Sequence, residues 1–305
     1  MTQPKDRVPF GRLLTAMVTP FTPGGELDLD GAQRLAAHLV DVERNDGLVI
    51  SGTTGESPTT SGEEKDRLLR AVVEAVGDRA HVVAGVGTND TAHTVHLAQA
   101  AEKAGATGTL VVTPYYNRPP QAGLLAHFRA VADATGLPSM LYDIPARTGA
   151  EIATETLLRL AEHPRIVAVK DAKDSLPAAA VVLARTDLAY YSGTDALNLP
   201  LLSVGATGFV SVVAHVVGAR LRELLDAWAA GDTARARAVN AGLLDVYQGI
   251  FRTQGVILTK AALRLAGLPG GPVRPPLVDA TDGQVETLRA DLAAAGVTLP
   301  ADGAA

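Results

Sequence analysis

A (β/α)8 barrel followed by a helical C-terminal region is the fold this sequence predicts, and three observations predict it. Eight short runs rich in Val, Leu and Ile recur at intervals of roughly 20–35 residues, the spacing of one β/α unit. These runs are apolar nearly throughout rather than alternating, as strands covered on both faces of a parallel sheet must be. Helical patterns fill the gaps between the runs and continue alone after the eighth. Together these describe a TIM barrel with an appendage.

The strands are predicted at Leu13–Val18, Gly47–Ser51, Val82–Val86, Thr109–Thr113, Ser139–Tyr142, Ile166–Lys170, Leu188–Ser192 and Gly208–Val212. Between them, Asp28–Glu43 places Leu29, Ala32, Leu35, Ala36, Leu39 and Val40 at helical spacing. Ser61, with Glu64 three residues on and Leu68 and Leu69 beyond, reads as a capping box. Thr91 opens a helix running to Lys103, with Gly105 as its stop. The apolar stretch Leu197–Ala219 has the length of a membrane span. Pro200, Gly205, Gly208, His215 and Gly218 interrupt it, so it reads as a buried helix, a tight turn, a strand and a second helix. Further helices are expected at Arg220–Ala230, Thr233–Ile250, Val256–Ala266 and Thr281–Ala295, the last two separated by a Pro/Gly-rich stretch from Leu268 to Pro276. This divides the chain into a barrel, residues 1–231, and a helical region, residues 232–305, with fraying expected from Pro300 onward. An open doubly wound sheet is the alternative, but Gly85-Val-Gly87 lacks the third glycine of its nucleotide fingerprint.

Composition narrows the chemistry. With 305 residues, 47% hydrophobic and 20% charged, the chain is that of a folded globular protein. It has no cysteine, which excludes disulfides, thiolate nucleophiles and cysteine-ligated metals and fits a reducing compartment. The N-terminus MTQPKDRVPFGRLL has no apolar run after its charges, so no signal peptide is expected and a cytoplasmic location is. A net charge of −6 disfavours nucleic acid as a partner.

In such a barrel, reactive groups sit at the C-terminal ends of the strands. Lys170 closes the otherwise apolar run Ile166-Val-Ala-Val-Lys170. It is either a lysine that reaches out of the barrel mouth to water or a desolvated amine. A neutral amine able to form a Schiff base needs its pKa brought from about 10.4 toward 7–8, which burial supplies. Tyr142 ends the neighbouring strand and is placed to shuttle protons during imine formation, unless it is a core tyrosine with its hydroxyl at the surface. The loop Ser51-Gly-Thr-Thr-Gly-Glu-Ser57 is either a tight turn or a cradle of hydroxyls and backbone N–H groups for a small carboxylate. Arg147, in the loop after strand 5, is a second carboxylate ligand or a solvated cation. None of the histidines (His38, His81, His93, His96, His127, His163, His215) ends a strand, and no H-E-x-x-H occurs, so a metal-dependent aldolase is disfavoured. The pairs Asp28/Asp30 and Asp171/Asp174 read as a helix start and loop charges.

GTTGES at 52–57, VTPYYNRPPQ at 112–121, YDIPARTG at 142–149, VKDA at 169–172 and SGTDALNLP at 192–200 stand in an order that resembles the dihydrodipicolinate synthase/N-acetylneuraminate lyase family of Schiff-base aldolases. The resemblance runs from Leu13 to the segment Val273–Leu277. It implies that Lys170 forms the imine with pyruvate and that Tyr142 is the general acid/base above it. It further implies that Thr53 and Tyr116 complete a proton relay, with Tyr116 reaching into a neighbouring subunit's site. Thr54, Val210 and Gly193 are then substrate-binding residues at the pyruvate end. The implied assembly is a homotetramer of two tight dimers, with neither metal nor cofactor.

Arg147 and the double threonine resemble the branch of the family that condenses pyruvate with L-aspartate 4-semialdehyde to give 4-hydroxy-tetrahydrodipicolinate, in lysine biosynthesis through diaminopimelate. Another pyruvate-dependent aldolase, acting on a 2-keto-3-deoxy sugar acid or a sialic acid, is the nearest alternative. A non-catalytic barrel that binds an oxo acid is the other. Two positions depart from the pattern: Asp143 replaces a common asparagine and Thr194 an aspartate. Gly62 and Lys65 also stand where feedback-inhibited members carry histidines, and His93 where they carry glutamate. Losing a carboxylate and gaining a cation weakens binding of a cationic ligand. Inhibition by lysine is therefore expected to be weak or absent; half-inhibition below about 1 mM, roughly −4 kcal/mol of binding, would overturn this.

Overall fold

The computed structural model describes residues 8–297 and 299, so the expected fraying from Pro300 lies outside the described residues. The strands are β1 Leu13–Ala16, β2 Gly47–Ile50, β3 His81–Gly85, β4 Gly108–Val112, β5 Ser139–Asp143, β6 Ile166–Asp171, β7 Ala189–Ser192 and β8 Gly208–Ser211. They pair in parallel in sequence order, and β8 returns to β1, closing a barrel. Each expected strand is present, with ends within two residues of those read from the pattern. The closed sheet sets aside the doubly wound alternative.

Helices surround the barrel: α1 Leu29–Asp41, α2 Gly62–Val76, α3 Thr91–Lys103, α4 Gln121–Asp133, α5 Pro145–Thr148, α6 Thr154–Leu160, α7 Leu176–Arg185, α8 Asn198–Ser203 and α9 Ala214–Ala229. Then follow α10 Thr233–Ala241, α11 Leu244–Ile250, α12 Gly255–Leu265 and α13 Asp282–Ala294. Local chemistry explains their starts. Ser61 accepts from the Glu64 N–H while Glu64 accepts from the Ser61 N–H, the reciprocal pair that satisfies two orphan donors of α2. Asp28 and Asp90 cap α1 and α3. The stretch at 197–219 resolves into α8, a turn at Gly205, β8 and the start of α9. Among the described residues, no helix is long and apolar enough to cross a membrane.

Two helical expectations need correction. The segment Thr233–Ile250 is two helices, because α10 ends at its C-cap Gly242 and α11 starts afresh at Leu244. The helix expected from Arg220 begins six residues earlier, at Ala214, and bends at Val217.

Alternation along each strand builds two clusters. Val49, Val83, Leu110, Met140, Tyr142, Ala168, Tyr191 and Val210 belong to one, which also takes in Leu221, Val246, Leu258 and Leu292 from the C-terminal helices. Their strand neighbours Leu48, Ile50, Val82, Val111, Leu141, Val169 and Tyr190 belong to the other, with Leu35, Leu68, Leu97, Phe128 and Leu157 of the surrounding helices. Lys170 shares its face of β6 with Ala168, since residues two apart point the same way.

Candidate active site

Parallel pairing of β5 with β6 sets Tyr142 directly beside Lys170. Lys170 is only 4% exposed, and its Nζ lies 4.2 Å from the centroid of the Tyr142 ring. Of the two readings of this lysine, the structure shows the desolvated amine. Burial pushes it down to about 8, with the Asp195 carboxylate pulling upward and the Arg147 cation adding to the depression. The side chain lies along the backbone of the β7 end. A Cβ at Gly193 would stand 3.0 Å from Lys170 Cγ and Cε and 2.9 Å from the Asp171 carbonyl, so only glycine leaves room there.

The Tyr142 phenol, also buried, shares a hydrogen bond with Thr53. Burial pushes it up to about 12, against the opposing Arg147 charge and the Thr53 bond. It therefore stays protonated at neutral pH, a donor next to a nucleophile. Thr53 and the buried Thr54 lie on the loop between β2 and α2, whose backbone is far from ordinary. Ser51 and Glu56 both have left-handed φ, at 59° and 55°, a cost that persists only where surroundings impose it. Gly85 lets the loop close, because a Cβ there would lie 2.5 Å from the Ser51 carbonyl.

Charge holds this loop from two sides. Lys65 of α2 donates to the carbonyls of Ser57 and Thr60 and to the Thr60 hydroxyl, and burial pushes it down to about 8. Glu56 points the other way, into the C-terminal region. It forms a fully buried pair with Lys260 of α12 at 2.6 Å and accepts from the Arg274 N–H at 2.8 Å. Lys260 also donates to the Pro272 carbonyl at 2.7 Å, and the Arg274 guanidinium chelates Glu64, the capping residue of α2. Nothing local in the sequence marked Glu56, Lys260 and Arg274 as one network, since more than 200 residues separate the first from the others.

Thr53, Tyr142, Arg147 and Tyr116 line one cavity of about 580 Å³, whose wall also includes Gln254, Pro276 and Leu277 of the C-terminal region. Lys170 lies against Tyr142 of that wall, while Thr54, Gly193 and Val210 are not among its lining residues. Val210 is fully buried on β8. Arg147 does not sit in an irregular loop, as expected, but on the one-turn helix α5, opened by Pro145 and closed by Gly149 with φ 74°. Tyr116 is 89% exposed on this chain and has a φ of 73°.

The acidic residues are not all what the sequence suggested. Asp28 does start a helix, but Asp171 is no loop charge: it is a buried strand residue that accepts from the Tyr190 hydroxyl. Asp143 is buried too and lies 3.5 Å from Lys173. Thr194 donates to Asp174 at 2.8 Å, joining the loops after β6 and β7. Asp195, to which the sequence assigned no role, accepts from Ser211, from Asn198 and from the Val212 and Val213 N–H groups. Burial raises its pKa against those bonds, and its charge acts on Lys170.

Known proteins similar to this chain belong to one family. The chain matches the dihydrodipicolinate synthetase family model over residues 9–295. A 4-hydroxy-tetrahydrodipicolinate synthase of Acidothermus cellulolyticus is 69% identical over 304 residues, 100% of this chain and 98% of the relative. A second, from Streptomyces coelicolor, is 66% identical over 293 residues, 96% of this chain and 98% of the relative. The crystal structure of the Cyanidioschyzon merolae enzyme with lysine bound superposes with a TM-score of 0.93 at 43% identity, covering 95% of this chain and 100% of that one.

The state of the Lys170 amine predicts a pH profile. With a pKa near 8, about one tenth of it is neutral at pH 7, against roughly one part in 3,000 for a solvated lysine. Borohydride trapping of a small oxo acid on Lys170 should therefore quicken with pH and level off above a midpoint near 8. A rate still climbing beyond pH 10 would mean a solvated amine.

Proposed function

The chain belongs to the dihydrodipicolinate synthetase family, and from that premise we propose how its residues condense pyruvate with L-aspartate 4-semialdehyde to 4-hydroxy-tetrahydrodipicolinate, a step of lysine biosynthesis. The observation that carries the reading is a buried, partly neutral Lys170 beside a protonated Tyr142, with Arg147 on the same cavity.

Lys170 Nζ attacks the pyruvate ketone. The carbinolamine loses water as Tyr142, linked to Thr53, returns a proton to the leaving hydroxyl. Thr54, Gly193 and Val210 form the pyruvate end. The imine loses a methyl proton to become an enamine, whose carbon adds to the aldehyde. Arg147 holds the carboxylate of that second substrate, a guanidinium being suited to bidentate recognition. The substrate's own amine then displaces Lys170 by transimination, closing the ring and freeing the lysine. Lys65, already engaged by three oxygens of its own loop, supports the expectation of weak lysine inhibition.

Tyr116 completes the relay in a neighbouring subunit of a dimer within a homotetramer. Its 89% exposure and strained backbone at the rim of the cavity support this, because they leave the phenol open to meet a partner chain. The regions 1–231 and 232–305 act as one catalytic unit, since the second supplies part of the cavity wall.

Borohydride reduction with pyruvate should leave an adduct on Lys170, and the untreated enzyme should turn over aspartate semialdehyde far faster than sugar aldehydes. An adduct with preference for sugar aldehydes would favour the alternative aldolase reading; no adduct would sink both. For Tyr116, mixing inactive Lys170→Ala and Tyr116→Phe protomers under exchange should restore about one quarter of native activity, because half the dimers then hold one complete site. No recovery would place Tyr116 outside the partner's site.

A further inference from the structure

Asp143 is a carboxylate buried on β5 next to Tyr142, and its surroundings show what the charge does. On β5 the side chains alternate, so Tyr142 and Asp143 point to opposite faces. Asp143 is 1% exposed. Both its oxygens accept from the Ile152 N–H at 3.2 Å, while Lys173 donates to the Ile152 carbonyl at 2.9 Å and lies 3.5 Å from Asp143. The two side chains thus take up both backbone polar groups of one fully buried residue.

Ile152 ends the segment that leaves β5 at Ile144, carries α5 and returns. Its base is therefore closed by the Asp143–Lys173 pair. Arg147 lies in the middle of that segment, and its guanidinium makes no hydrogen bond or ion pair among the described residues. Where it points is decided by the backbone that carries it. Arg118, Gln121 and the Tyr116 N–H hold the far side of this segment, at Gly149, Glu151, Ala153 and Thr148, but among the described residues it is the buried pair that ties Ile152 back to β5.

We propose that Asp143 and Lys173 are positioning residues for the second substrate, clamping residues 144–152 so that Arg147 is presented to the aldehyde's carboxylate. The proposal rests on the assignment of Arg147 given above. Charge balance explains why the two go together. Asp143 is faced by Asp171 of β6 and Tyr190 of β7 as well as by Lys173. Burial pushes its carboxyl up to about 6, with Asp171 adding to the rise, and the Lys173 cation is the main force opposing it. An aspartate here needs its lysine, whereas an asparagine accepts the same N–H bond without one.

The test is steady-state kinetics with both substrates varied. Lys173→Met should raise KM for aspartate semialdehyde about tenfold, while pyruvate KM and borohydride trapping on Lys170 stay within about twofold. Adding Asp143→Asn should bring the aldehyde KM back to within about threefold of the parent, because no unpaired charge is left buried. Should Lys173→Met not fold, Lys173→Gln replaces it, with the same aldehyde-selective rise expected. An unmoved aldehyde KM, equal rises for both substrates, or a double variant no better than the single would overturn the clamp. Arg147→Ala separates the two readings. If it raises aldehyde KM and Lys173→Met does not, the clamp alone is wrong; if neither does, the assignment of Arg147 falls with it.

Discussion

Burying an amine is the constraint around which this barrel is arranged. The fall of Lys170 from 10.5 to about 8 corresponds to roughly 3 kcal/mol between its protonation states, and that cost is set mainly by its burial. Its neighbours act on it in both directions. Gly193 has no Cβ, so the side chain can lie against the β7 backbone. Tyr142 covers Nζ with its ring. Asp195 tempers the depression from the far side, while its own charge is held by four donors. Without that carboxylate the amine would be still less basic; with the amine at the surface it would be a spectator at neutral pH.

The second organising feature is the Glu56–Lys260–Arg274 network. A buried ion pair is weak evidence for stability, since desolvation offsets its Coulombic gain. Its value lies in geometry. Glu56 occupies a left-handed backbone position two residues after Thr54, and its side chain is anchored on the C-terminal region. Through Arg274 and Glu64 the same region reaches the N-terminus of α2. The appendage thus shapes the threonine loop from outside the barrel and supplies Gln254, Pro276 and Leu277 to the cavity.

Legibility followed the range of the interactions. Strands and caps were readable because apolar runs and capping residues act over a few positions: Ser61 with Glu64, and Asp28 with Gly31, needed no tertiary information. The break at Gly242 was not, because nothing within a few residues of it distinguishes one long helix from two. Asp171 was misread for the same reason, as its burial depends on Tyr190 of β7 arriving beside it. The residues of the site were visible as motifs at strand ends, but whether Lys170 faced water was left open by its composition alone.

By itself the sequence determined the parallel barrel, the order of its elements and the residue types available at each strand end, since these follow from periodicity and local backbone preference. Only the tertiary structure decided which of those residues share an environment. Desolvation, charge pairing and cavity shape are sums over groups far apart in the chain. Lys170 therefore becomes a nucleophile, Glu56 an anchor and Asp143 half of a pair only when the barrel closes.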